Sequence, residues 1–228
     1  MFSNNTPHII NQPSRAKSHT SHLLIELLAQ GEHQRLDFKY EISDSKKIAR
    51  TLSAFANTDG GTLLIGVKDN GNIAGIRSEE EYYMIEAAAE MYCSPKLSFK
   101  AKEWNIDGKT VLEITILPSS AKPHKSPDKN DKFKTYIRIN DENIVAPEIL
   151  EMAWSKILKL NGTYLEISRP VEKLFKYLDS NPYITVSQFR KIGRISYFTA
   201  KNILSDLLAL GTIGYMLKDK RIVYGIKA

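Results

Sequence analysis

Between Gly31 and Gly75 the spacing of apolar residues changes twice, and this constrains the fold more than any other feature of the chain. Leu36, Phe38 and Tyr40 alternate with Asp37, Lys39 and Glu41, the period of a strand. Ile48, Leu52, Phe55 and Ala56 then recur at helical spacing, with Ser43, Asp44 and Ser45 available as caps. From Thr62 to Val67 the chain is a nearly continuous apolar strand. Asn57–Gly61 reverses direction before that strand, and Asp69-Asn70-Gly71 turns after it. Period two places Asp37 and Lys39 on the face opposite Leu36 and Phe38. If the two strands pair, Glu32, Asp37, Asp69 and Lys39 converge at one end of a small sheet.

The remaining chain extends this pattern. Residues 1–20, rich in Ser, Asn, Pro and Thr, read as a mobile arm or extended lead-in. Leu23–Gln30 reads as a short helix closed by Gly31, and Glu79–Met91 as a helix with an acidic start. Leu97–Trp104 and Val111–Leu117 flank Asp107-Gly108, a hairpin signal. Pro118–Lys132 is a long connection bearing Lys122, Lys125, Lys129, Lys132 and His124. A strand over Lys134–Ile139 and a helix over Pro147–Leu160 follow. This order predicts an α+β domain over 21–160, a mixed sheet with flanking helices. Asn161–Ile167 reads as a boundary.

Residues 161–228 carry a different signature. Val171, Leu174, Phe175 and Leu178 form an apolar helical stripe. Thr185 and Gln188 have the spacing of a capping box, with Ile184 and Phe189 as its hydrophobic staple. Ser196 can cap a third helix, whose stripe is Ala200, Ile203, Leu204, Leu207 and Leu208 before Gly211. Ile213–Tyr224 returns as a hairpin turning near Lys218-Asp219-Lys220. Three helices and a hairpin resemble the winged helix-turn-helix superfamily. The resemblance implies a third helix offering Tyr197, Thr199, Lys201, Asn202 and Ser205 to base edges or phosphates. Arg190, Lys191 and Arg194 would lie where a backbone passes, and Lys218, Lys220 and Arg221 would sit on the wing.

Charge supports a polyanionic partner. Residues 161–228 hold 11 basic and 5 acidic side chains, a surplus of +6 that equals the net charge of the whole chain. The single cysteine, Cys93, cannot form an internal disulfide, so a reducing cytoplasm is the expected location. No apolar run approaches membrane length, and no membrane partner is expected. No G-x-x-x-x-G-K-[ST] string occurs, so ATP is not an expected cofactor.

Gly31, Glu32, Asp37, Phe38, Lys39, Ala54–Thr58, Gly60, Gly61 and Ile65–Asp69, with Tyr136–Asn140 and Ala146 downstream, carry a further resemblance. In that order they resemble the Schlafen-type AlbA-like domain, also known as AlbA_2 and formerly as divergent AAA, over roughly residues 20 to 150. The resemblance implies nucleic-acid binding, as in prokaryotic members. In the Schlafen nucleases three acidic residues cut structured RNA with a divalent metal, and Glu32, Asp37 and Asp69 match their order. Those enzymes pair two lobes, whereas this chain has one, so a homodimer would have to supply the second. Their zinc-binding cysteines are missing, and Asp37 stands where glutamate is common.

Two functions follow from these residues. A nucleic-acid-binding protein, DNA favoured over RNA, suits a transcriptional regulator and needs no cofactor. It would draw phosphate affinity from Lys122, Lys125, Lys129, Lys132, Lys134 and Arg138 as well as from the C-terminal cations. The alternative is an endoribonuclease in which Glu32, Asp37 and Asp69 hold Mg²⁺ or Mn²⁺ and Lys39 stabilises developing charge. Residue chemistry alone favours the plainer alternative: Asp37 and Lys39 as a same-face ion pair, Glu32 as a solvated helix-end residue, Asp69 as a turn former and Arg138 as part of a structural ion pair.

Overall fold

A computed structural model describes residues 17–158 and 164–227. Of the expected N-terminal arm, residues 1–16 lie outside the described residues. Lys17 onward belongs instead to helix α1 (Lys17–Ala29). The chain divides into two units, one reaching Val145 and the other starting at Ala146.

The first unit continues with β1 (Leu36–Lys39), α2 (Ser45–Asn57), β2 (Gly61–Ile65), α3 (Glu80–Met91), β3 (Lys100–Ile106) and β4 (Lys109–Ile116). The four strands form one mixed sheet in the order β1-β2-β4-β3. β1 and β2 run parallel, with Asp37 beside Leu63, and the other pairs are antiparallel. Alternation then divides the side chains between two cores. Leu36, Phe38, Leu64, Trp104 and Val111 pack with Leu24 of α1. Leu63, Ile65, Leu112, Ile114 and Ile116 pack with Ile48, Leu52 and Phe55 of α2 and Ile85 of α3. This is the expected α+β architecture, a mixed sheet with flanking helices.

α2 starts where the Asp44 side chain accepts the Lys46 amide at 2.8 Å. Its polar side is buried as well, against an antiparallel sheet of β5 (Lys125–Pro127), β6 (Phe133–Ile139) and β7 (Glu142–Val145). Ser53 shares a hydrogen bond with Ser126, and Asn143 donates to Thr51. Asn57 donates to the carbonyls of His124 and Tyr136 and accepts the His124 amide. The expected loop over 118–132 is therefore largely built into the fold. β7 was not anticipated because its four residues carry no apolar alternation.

His124 illustrates the change. Its ring is buried between the Pro95 carbonyl, 2.8 Å from Nδ1, and Ser119 Oγ, 2.7 Å from Nε2. A carbonyl only accepts, so Nδ1 carries the proton and Nε2 accepts the serine hydroxyl. Burial lowers the His124 pKa, its bond to Pro95 opposes the shift, and the Lys122 charge adds a smaller push downward. The fold therefore holds the neutral ring, and its stabilisation is present above the free imidazole pKa of about 6.5 and lost as pH falls below it. Urea unfolding at about pH 7 and pH 5 should show this loss in the wild type but not in His124→Leu. Equal pH sensitivity in both proteins would refute it.

The second unit comprises α4 (Glu148–Ile157), α5 (Arg169–Leu178), α6 (Val186–Gly193), α7 (Tyr197–Ala209), β8 (Ile213–Lys218) and β9 (Arg221–Ile226). The sequence boundary after residue 160 moves to 145, because Ile149 of α4 joins the core of Leu174, Leu178, Phe189, Leu204 and Leu207. The Thr185–Gln188 capping box is formed in both directions. Ile184 and Phe189 beside it are fully buried. Ser196 caps α7 by accepting the Thr199 amide at 3.0 Å. Ile184 and Tyr224 exchange backbone hydrogen bonds, anchoring β9 to the chain entering α6.

Candidate nucleic-acid interface

The acidic residues singled out from sequence only partly assemble. Glu32 precedes β1 and accepts the Phe38 amide at 2.8 Å. Asp37 shares its neighbourhood but is buried, and Arg138 of β6, itself buried, reaches its Oδ1 at 3.1 Å. Asp37 Oδ2 lies 3.0 Å from Lys39 Nζ. That ammonium directs its hydrogen bond to the Phe38 carbonyl at 2.7 Å, leaving Oδ2 in Coulomb contact without an aligned donor. Lys39 is also 3.8 Å from Glu32. The Glu32 pKa is raised, first by burial and then by the neighbouring Asp37, against the pull of the Phe38 amide and Lys39.

Asp69 stands exposed in the turn after β2. Among the described residues no group of three or more His, Cys, Asp or Glu side chains is placed to hold a metal ion. Glu32 and Asp37 adjoin, but Asp69 does not complete a three-carboxylate group with them as arranged here. Arg138 and Lys39 already compensate the Asp37 charge, and a metal would have to displace them.

Arg138 also donates to the His33 and Leu36 carbonyls and to Asn143 Oδ1, and stacks over Phe55 at 5.1 Å. It is an internal clamp rather than the expected phosphate contact. The other cations of that segment differ in placement. Lys122 is half-buried on the Thr58 carbonyl at 3.1 Å, and burial lowers its pKa. Lys125 is half-buried in β5 and has an interaction partner. Lys134 is 2.9 Å from Asp128, and together with the Asn130 amide it holds that carboxyl at about 2. Lys129 and Lys132 are exposed on the turn between β5 and β6.

In the second unit the structure separates two groups that looked alike in sequence. Arg190, Lys191, Arg194, Lys218, Lys220 and Arg221 are all exposed, with no acid in ion-pair range among the described residues. Asp219 and Lys220 take positive φ of 49 and 59°, closing the tight hairpin turn that presents three of these cations. Tyr197 and Thr199 are exposed, as expected. The Lys201 and Ser205 side chains instead face α4, which also reaches the backbone carbonyl of Asn202. Lys201 pairs with Glu148, and Lys156 binds the Asn202 carbonyl, Ser205 Oγ and, at 2.6 Å, Asp206. Part of the face of α7 expected to read bases, Lys201 and Ser205, is thus occupied by a helix of its own unit, while Tyr197 and Thr199 remain open. The sequence signal was available in the complementary charges of α4, but nothing in the spacing paired them with α7.

Residues 32–147, just over half of the chain, match the family described as Schlafen, AlbA_2. Among solved structures, the DIP2311 protein from Corynebacterium diphtheriae is similar at 17% identity and a TM-score of 0.44. That match covers 66% of this chain and 34% of that protein, so this chain spans about a third of its length. The N-terminal domain of a Nitrosomonas europaea protein described as related to the ATP-dependent DNA helicase RecG is similar at 26% identity and a TM-score of 0.37. It is covered to 95%, with 57% of this chain. No curated protein matches the chain. Among the described residues no helix is long and apolar enough to cross a membrane.

Proposed function

Because the chain belongs to the Schlafen AlbA_2 family, we propose that it is a nucleic-acid-binding protein, DNA favoured over RNA, which grips the sugar–phosphate chain through its C-terminal unit. We read that unit as a winged helix, a module suited to a transcriptional regulator. The observation that carries the proposal is the exposure of Arg190, Lys191 and Arg194 around the end of α6, and of Lys218, Lys220 and Arg221 at the hairpin tip. Unpaired cations keep their full attraction for phosphates, whereas Lys201 and Lys134 spend theirs inside the protein.

Binding through such cations releases counterions, so log affinity should fall linearly with log salt. Changing Arg190, Lys191 and Arg194 together to Glu should reduce that slope by about 1 for each cation that no longer meets a phosphate, roughly 3 in all. Fluorescence anisotropy of the full chain with labelled oligonucleotides measures both. An unchanged slope in the triple variant would overturn the assignment. If two chains grip one site, the titration will saturate at a two-to-one ratio.

A Mg- or Mn-dependent endoribonuclease built on Glu32, Asp37 and Asp69 is the weaker reading. Support for it is limited to the Glu32–Asp37 contact and the raised Glu32 pKa.

A further inference from the structure

The cations of α6 and the hairpin do not account for the exposed aromatic residues at the start of α7. Tyr197 is 49% exposed and Phe198 66%, although both follow directly on the Ser196 cap of a helix that buries Ala200, Leu204 and Leu207 completely. An aromatic ring left in water forgoes the gain of burial, and two adjacent ones are a poor choice for a merely solvated turn. Tyr197 is also held in place. Lys201 Nζ sits 5.6 Å from its ring centroid, and Lys201 is itself fixed by Glu148. Arg194, exposed and in the left-handed conformation (φ 53°), immediately precedes this turn, with Arg190 and Lys191 one helical turn before it.

We propose that Tyr197 and Phe198 form a stacking platform for unpaired bases, so that the C-terminal unit takes a single-stranded nucleic acid rather than reading a duplex. This rests on the nucleic-acid reading above and adds a substrate class to it. Two observations converge. On the side of α7 that would enter a major groove, the Lys201 and Ser205 side chains are taken up by α4. What remains exposed is aromatic and flanked by cations, the combination that binds single strands by stacking on any base while tracking the phosphates. Charge complementarity selects the occupant, because a surface bordered by Arg190, Lys191 and Arg194 favours a polyanion over an apolar protein segment. Duplex DNA offers phosphates but keeps its base faces stacked internally, leaving the two rings without a partner.

The test compares a labelled single DNA strand, the same sequence as RNA, and the DNA duplex, titrated with the full chain at one salt concentration. The wild type should bind single strands more tightly than the duplex. Phe198→Ala should weaken single-strand binding by about 5- to 150-fold, the range for losing one stacked base. Its duplex binding should be unchanged, and Phe198→Trp should retain wild-type single-strand affinity. Because Phe198 is largely exposed, its replacement should leave the core intact, which circular dichroism of the variant checks. Stronger binding to RNA or to DNA identifies the strand, and either result supports the platform. Tighter binding to the duplex, or equal single-strand affinity for wild type and Phe198→Ala, overturns it. If the Arg190, Lys191 and Arg194 reversal abolishes binding while Phe198→Ala does nothing, only the platform fails. If the wild type binds none of the three probes, the nucleic-acid reading fails with it, and the rings are left as a protein contact.

Discussion

Arg138→Ala should lower the unfolding free energy by about 3–5 kcal/mol, the cost of stranding one member of a buried ion pair. The guanidinium is 1% exposed and directs its donors to Asp37, Asn143 and the carbonyls of His33 and Leu36. Removing it leaves Asp37 buried with only Lys39 opposite, and opens two acceptor carbonyls to a cavity without water's full access. Arg138→Lys should recover little, since one ammonium cannot reproduce a planar fork that spans β1 and β7. Pairing Arg138→Met with Asp37→Leu should restore much of the loss, because neither charge is then stranded. Urea denaturation of the wild type, Arg138→Met, Asp37→Leu and the double variant as a double-mutant cycle measures the coupling. Additive single losses would show that the pair is not coupled. Nucleic-acid affinity and its salt slope should be unaffected in the folded variants, because this arginine contacts no phosphate.

Gly66→Ala should cost on the order of 2–5 kcal/mol, combining left-handed strain with a backbone collision. Gly66 follows β2 with φ 89°, and a Cβ there would meet Gly75 C and Ile76 N at 2.7 Å. The residue cannot retreat. Its amide donates to the Lys39 carbonyl at 2.8 Å, and its own carbonyl accepts the Ala74 and Gly75 amides. Gly71→Ala provides the comparison, since its φ is 80° but a Cβ would meet only the Leu28 carbonyl at 3.7 Å. It should lose the strain contribution alone, about 1–2 kcal/mol. Equal losses for the two variants in urea titrations would mean that the close approach of residues 66 and 75 adds nothing.

Local signals carried much of this architecture. The Asp44 cap, the Thr185–Gln188 box, the β3–β4 hairpin, the alternation in β1 and the apolar run of β2 each depend on residues a few positions apart, so the sequence could specify them directly. The acidic set shows where that kind of reading stops. Alternation correctly put Asp37 and Lys39 on the face opposite Phe38, but not what covers that face. Arg138, 101 residues away in the chain, does. Asp69 satisfies the order of the acidic set while staying in a solvent-exposed turn, because order along a chain does not bring side chains together.

What the chain determined by itself was which residues share a face: the apolar stripe of α2, the two faces of β1, and the polar and apolar sides of α7. Only the tertiary structure decided which polar faces meet water. Thr51, Ser53 and Asn57 lie off the apolar stripe of α2, yet they are buried because β5, β6 and β7 bring donors and acceptors to satisfy them. Lys201 looks like a phosphate ligand, yet Glu148 holds it. The physical reason is that a polar side chain can exchange water for a protein partner at little net cost when that partner is well placed. Periodicity records the side chain and its spacing but not the distant residue that replaces the water.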